Sequence, residues 1–373
     1  MSPLASIFYC EATIGSLATD VELMQAKALS AIEYRYNIMD EQAFFALEVF
    51  EDSDKRIHRR VRRKALSELP PGEVLVRVKY SSLNYKDALS ASGNRGVTKH
   101  YPHTPGIDAA GTVAESFDPQ WQSGDEVICT GYDLGMNTSG GFGQYIRVPG
   151  QWLVRKPQGL SLLESMQFGT AGFTAAQCLL HLQHNAITPD KGDILVTGAT
   201  GGVGTVAILL LHKLGYRVTA VTGKASEHAF LRALGAATIL ERQDLLQGGE
   251  KQLLPIRWAG AIDTVGGDML ATVVKSTGFD GVVTSCGNAA SGNLPLTVYP
   301  FILRGVHLIG VYSANCPLER RQLVWTKLAS EWKLDDLSRN CRRIALEQLD
   351  AEIRAMLGGQ SRGRCVIDLE VGA

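Results

Sequence analysis

The chain has 373 residues, 45% of them hydrophobic and 20% charged, with a formal net charge of −1. That length sets a prior of two domains and holds enough apolar sequence for two cores, while the near-zero charge excludes a global electrostatic pull toward nucleic acid or a membrane surface. Seven scattered cysteines without a C-x-x-C pair argue for a reducing, cytoplasmic setting and against a disulfide frame; no apolar run approaches the roughly 18 residues of a membrane span.

Residues 1–40 form an unassigned N-terminal extension. Their apolar part is too broken for a secretory signal, and Arg35 is their sole arginine. Residues 19–32 suit one amphipathic helix capped by Thr19 or Asp20, and Met39 is an alternative start. From Ala43 the texture changes. Residues 43–50 and 57–63 read as two strands around the turn Asp52-Ser53-Asp54. The dense Lys/Arg run at 55–64 reads as an exposed hairpin strand balanced by nearby acids, in preference to a phosphate or nucleic-acid site. Residues 73–80 place Val74, Val76, Val78 and Tyr80 on one face, a half-buried strand. Short strands with Gly and Pro turns continue to about Pro157 and predict a small β-barrel-like domain.

At 194–204 a short apolar strand runs into the turn GATGGVG (198–204), with a helix expected over 205–214. Gly198 permits the tight turn, Gly201 and Gly202 clear the space at a phosphate, and Gly204 lets helix and strand approach. Backbone N–H groups and the helix N-terminus then receive a pyrophosphate. The second strand ends in Thr222-Gly223-Lys224, with no acid where an NAD-binding fold places one on the ribose 2′-OH. A hydroxyl, a glycine and a lysine instead suit a 2′-phosphate, and Arg242 after the third strand is a second cation. The cofactor expected is therefore NADPH. Further strands at 258–267, 281–287 and 306–311 alternate with helices, which predicts a parallel sheet covered on both faces. Ligands bind at the carboxyl ends of such strands, which brings Val265, Asn288 and Ser313 near the cofactor.

The motifs SLNYKD (82–87), PGID (105–108), SGDEV (123–127), GTAGFTA (169–175) and the glycine turn resemble those of the medium-chain dehydrogenases/reductases, in the zinc-free quinone-oxidoreductase branch. TGK (222–224), WAGAIDTVGG (258–267), PFILR (300–304) and ERR (319–321) are similar to the acryloyl-CoA reductase subfamily. The resemblance implies an α/β protein: a GroES-like β-barrel catalytic domain at 41–163 and 315–373, interrupted by a doubly wound Rossmann domain at 164–314. It implies a late strand at 363–367 and cofactor contacts at Tyr85, Thr200, Gly201, Gly202, Val203, Thr222, Gly223, Lys224, Arg242, Asn288, Ile302 and Ser313. It also implies a homodimer.

No metal is expected. Zinc-dependent relatives carry Cys where Asn84 stands and a His-Glu pair within 106–108, and the clustered thiolates of a structural zinc are missing. His100 and His103 read as surface histidines. The implied reaction is hydride transfer from NADPH to the β-carbon of a 2-enoyl thioester, acryloyl-CoA foremost, giving propanoyl-CoA. Tyr85 and Asn84 are the candidate catalytic residues: Tyr85 orients the carbonyl or relays a proton, the alternative being that Tyr85 only packs on the nicotinamide and Asn84 only holds the loop. The alternatives are a quinone acceptor and a non-enzymatic NADPH-binding protein. Cations available to a CoA nucleotide are Arg95, Lys99, Arg320 and Arg321, each equally readable as a solvated charge.

Overall fold

The computed structural model describes residues 43–371. The helix expected at 19–32 and the alternative start at Met39 lie outside the described residues. Strand β1 (Ala43–Glu51) pairs antiparallel with β2 (Ile57–Ala65). The turn between them is closed by Asp52, whose carboxylate accepts the backbone N–H of Asp54 and of Arg56 at 2.9 Å. The basic strand is partnered as expected: Arg60 and Arg62 both reach Glu48, Arg62 also reaches Glu68, and Arg59 reaches Asp350.

A larger sheet follows. It holds β3 (Val74–Ser82), β4 (Asp108–Ser116), β5 (Glu126–Thr130), β6 (Tyr145–Val148), β7 (Leu153–Arg155), β14 (Cys341–Ala345) and β15 (Arg364–Asp368). The order is β14-β15-β3-β4-β5-β7, with β6 also on β3. Val74, Val76 and Val78 are buried and Arg77 is exposed, the alternation read from the sequence. The late strand β15 returns some 280 residues down the chain to pair antiparallel with β3 through Val366↔Ser82. Two short helices, α1 (Tyr85–Ala91) and α9 (Leu349–Leu357), pack on one another beside it.

The other sheet is parallel throughout: β8 (Ile194–Val196), β9 (Val218–Thr222), β10 (Thr238–Glu241), β11 (Trp258–Asp263), β12 (Thr277–Ser285) and β13 (His307–Gly310). Its order, β10-β9-β8-β11-β12-β13, is that of a doubly wound dinucleotide fold. The order reverses between β8 and β11, so a crevice opens there at the strands' carboxyl ends. Helices α3 (Gly202–Lys213), α4 (His228–Ala233), α5 (Arg242–Leu246), α6 (Gly267–Lys275) and α7 (Tyr299–Arg304) connect the strands. Helix α3 begins at Gly202, earlier than its apolar pattern places it, because glycines carry no hydrophobic signal.

Helix α2 (Leu162–His184) joins the two sheets and is buried along most of its length. Ser161 caps it, accepting the Glu164 N–H at 3.1 Å, while the Glu164 carboxylate returns to the Ser161 N–H at 2.7 Å. The helix breaks at Gly169, with φ 53°. A Cβ there would lie 2.3 Å from Ser82 Oγ and 2.5 Å from both Arg364 Nη2 and Asp108 Oδ2, so only glycine fits. The break turns the Thr170 N–H toward Asp108. Helix α8 (Leu318–Ala329) lies against α2.

Candidate active site

A cleft of about 950 Å³ lies between the two sheets. Its Rossmann wall is built by the glycine turn. Gly198 takes φ 57°, and a Cβ on Gly204 would stand 2.5 Å from the Gly198 carbonyl oxygen, so helix α3 can start directly on the strand. Thr200, Gly201, Gly202 and Val203 line the cleft at the unsatisfied N–H end of that helix. Gly202 has a second neighbour that sequence alone did not reveal: a Cβ there would meet Arg364 Nη1 at 3.1 Å.

At the end of β9 the Thr222 hydroxyl accepts the Lys224 N–H at 3.0 Å, which fixes the lysine's backbone. The Lys224 ammonium donates to the Ser361 carbonyl at 3.0 Å. Arg242 opens α5, and its guanidinium carbon is 3.5 Å from where a Gly223 Cβ would stand. Lys224 and Arg242 therefore converge on one edge of the cleft, over a glycine that leaves room between them. Val265, Asn288 and Ser313 line the same cleft from the ends of β11, β12 and β13. Ile302 does not. It stands on the outer face of α7 with 68% of its surface exposed, because that helix buries Pro300 and turns the next residues but one outward.

The opposite wall is the segment after β3. Tyr85 opens α1 with its ring 54% exposed in the cleft. Asn84 is beside it but buried, and both ends of its amide are committed. Its Nδ2 donates to Asp108 Oδ2 at 2.7 Å, and its Oδ1 accepts from Arg364 Nη1 at 3.2 Å. Asp108 is fully buried and also accepts from the Ser82 hydroxyl at 2.6 Å and the Thr170 N–H at 2.9 Å. Arg364, 2% exposed, lies 3.7 Å from Asp108, and its other N–H groups reach Ser82 Oγ and the Leu83 and Gln167 carbonyls. A buried ion pair is tolerated when its remaining donors and acceptors are met, and here they are. Asn84, which also lines the cleft, is thus tied into this network through both ends of its amide. Asp87 is also fully buried; it accepts the Asn84 and Ile107 N–H groups at 2.8 Å. Burial first, and then the Asp108 carboxylate, push it up to about 7.

Other expectations are corrected by burial. His103 is no surface residue: its Nε2 is 2.9 Å from the Gly135 carbonyl, and burial draws its pKa down. Arg321 is fully enclosed, donating to the Thr130 carbonyl at 2.6 Å and the Ala314 carbonyl at 2.9 Å, so it ties the two sheets together. Arg95 is held by Glu51 and lies over the Tyr101 ring. Neither these two nor Lys99 and Arg320 line the cleft. Sequence reasoning missed Asp108, Thr170, Asp87, Arg364 and the cleft-lining Lys86. Polar residues inside apolar motifs were the available signal for the first three.

The donor set does not fit a metal. Asp108 is hydrogen-bonded on both oxygens and paired with a guanidinium, Asn84 is committed, and no cluster of three His, Cys, Asp or Glu suited to a metal exists among the described residues.

A doubly wound parallel sheet and a mostly antiparallel sheet meeting at a glycine-turn cleft define a two-domain dehydrogenase/reductase. Residues 70–158 match the alcohol dehydrogenase GroES-like domain, and 202–330 match the zinc-binding dehydrogenase model. The acrylyl-CoA reductase AcuI of Ruegeria pomeroyi is 41% identical over 327 residues, 87% of this chain and 99% of that protein. YhfP of Bacillus subtilis, which carries a quinone-oxidoreductase name, is 43% identical over 328 residues, 87% of this chain and 99% of its own length. Its crystal structure with NAD bound matches with a TM-score of 0.85 at 42% identity, over 88% of this chain and 100% of that one. The YhdH oxidoreductase of Salmonella enterica in complex with NADP matches with a TM-score of 0.84 at 43% identity, over 87% and 99%. The chain belongs to the medium-chain dehydrogenase/reductase family, in its acrylyl-CoA reductase and quinone-oxidoreductase branch.

Proposed function

We propose that this protein is an NADPH-dependent reductase of 2-enoyl thioesters, converting acryloyl-CoA to propanoyl-CoA. The observation that carries this reading is a tyrosine hydroxyl in the cleft, without a hydrogen-bond partner among the described residues, opposite a glycine turn flanked by Lys224 and Arg242, over a base whose donors do not suit a metal. The 41% identity to an acrylyl-CoA reductase supports it.

Lys224 and Arg242 hold the 2′-phosphate, the residues from Thr200 to Val203 the pyrophosphate, and Val265, Asn288 and Ser313 the nicotinamide half. Bound there, NADPH supplies a hydride to the β-carbon of a polarised alkene. The chain's own residues meet the charge that develops. The Tyr85 O–H donates to the thioester oxygen and stabilises the enolate, then serves the α-carbon as a proton source. Asn84 holds the loop before Tyr85, and the Asp108–Arg364 pair holds Asn84. Exclusion of water from the cleft strengthens these contacts.

Two further expectations belong to this reading. The protein acts in the cytoplasm, supported by six free cysteines among the described residues. Among those residues no helix is long and apolar enough to cross a membrane. It forms a homodimer through the free edge of β13, beside the exposed Tyr299, Ile302 and Leu303 of α7.

The test is kcat/KM for acryloyl-CoA against a simple quinone, with wild type and Tyr85→Phe. Acryloyl-CoA is expected to be the better substrate, and Tyr85→Phe to lose about 100-fold in kcat with NADPH affinity kept. A quinone turned over much faster than acryloyl-CoA replaces the thioester reading with the quinone one.

A further inference from the structure

The cations lining the cleft, among the described residues, are Lys86, Lys224, Arg242 and Arg364. Lys224 and Arg242 stand together at the cofactor edge, and Arg364 is buried in the Asp108 network. Lys86 has no such explanation. It lies on α1, on the wall facing the glycine turn, half-buried, and among the described residues no hydrogen bond or ion pair involves its ammonium. A long flexible lysine is seldom held in a cleft for nothing, since lost rotamer freedom opposes it.

Its surroundings indicate what it meets. Leu89, three residues on, shares its helix face and also lines the cleft. Val97 and Met136 from two neighbouring loops line it too, and those loops are tied by the Lys99 N–H donating to Asn137 at 3.2 Å. Leu89, Val97 and Met136 thus give the cleft an apolar lining beside one positive charge that has no partner among the described residues. Asp268, the one carboxylate lining the cleft among the described residues, is on α6 in the Rossmann wall. A small neutral acceptor has no use for such a charge. A thioester whose carrier is a long uncharged arm ending in phosphates fits both features: the arm's methylene and methyl groups lie along Leu89, Val97 and Met136, and a phosphate meets Lys86.

Resting on the thioester reading above, we infer that Lys86 is the substrate-anchoring residue, holding a phosphate of the acyl carrier and selecting anionic thioesters over neutral acceptors. The ammonium touches no reacting atom, so its effect falls on KM and not on kcat.

The experiment measures steady-state kinetics of wild type, Lys86→Met and Lys86→Arg with NADPH and three acceptors: acryloyl-CoA, the uncharged acryloyl-pantetheine, and a benzoquinone. In Lys86→Met, KM for acryloyl-CoA is expected to rise about tenfold with kcat near wild type, the size of one charge-assisted contact at a partly exposed site. KM for acryloyl-pantetheine stays within twofold (about the scatter of such assays), Lys86→Arg restores the CoA value, and the salt dependence of KM flattens. The inference is overturned if both thioesters weaken together, which marks a packing role, or if neither weakens, which marks a solvated charge. A rise in the Kd of NADPH overturns it too, by assigning the lysine to the cofactor. Failure of the underlying reading looks different: wild type itself then turns over the quinone and leaves acryloyl-CoA unreduced, and the inference falls with it.

Discussion

Replacing Lys224 by alanine removes one of the two cations at the cofactor edge without touching the glycine turn. In the free protein its ammonium is held by the Ser361 carbonyl at 3.0 Å, so it is already placed at the cleft. The nearest acid in sequence, Glu227, is bound to Arg362 at 3.0 Å and does not neutralise it. A hydrogen bond to a charged group contributes about 1.5–3 kcal/mol, and partial exposure of Lys224 favours the lower half of that range. At 1.4 kcal/mol per decade, Lys224→Ala should weaken NADPH binding by about 10- to 40-fold. NADH, without the 2′-phosphate, should change by less than about twofold. Arg242→Ala should act in the same direction. The double variant should lose less than the two single losses multiplied, because both cations meet one phosphate and are coupled. Fluorescence titration of both nucleotides on the four proteins measures all of this. Equal losses for NADPH and NADH would refute the assignment, since Lys224 would then contact something the two share.

Arg364→Met leaves Asp108 buried beside no cation and strips donors from the Leu83 and Gln167 carbonyls. Unfolding in denaturant should show a loss of about 3–5 kcal/mol, partly recovered on adding Asp108→Asn; a loss below about 1 kcal/mol contradicts the buried-pair argument. Asp87 gives a pH signature. Its pKa is raised to about 7 in the folded protein and is about 3.9 unfolded, so between those values the native state holds the extra proton. Its contribution is fully present below the unfolded value and is lost as pH rises through about 7. The melting temperature of wild type minus that of Asp87→Asn should fall between about pH 5 and pH 7, and parallel curves would rule the raised pKa out. Carboxylates whose pKa values are lowered, such as Glu68 beside Arg62, act in the opposite sense and at lower pH.

The sequence alone determined whatever a few consecutive residues can encode. GATGGVG between an apolar strand and a helix reads as a dinucleotide turn because its steric demands are local, and TGK, with no acid at the strand end where an NAD-binding fold places one, points to the phosphate preference on the same terms. Alternating strands and helices dictate a parallel sheet, and the motif from Ser82 to Asp87 supplies the cleft wall that faces the glycine turn. The tertiary structure decided which polar groups are buried and with what. Arg364 reads as the start of one more strand, yet it is enclosed with Asn84 and Asp108 from the far end of the chain. Arg320 and Arg321 are adjacent and chemically alike, but one faces solvent and the other ties Thr130 to Ala314. Asn84 is tied into that buried network, and Ile302 stands outside the cleft, for the same kind of reason. The free energy of a charge or an amide depends on partners that distant segments bring to it, and no local pattern records those partners.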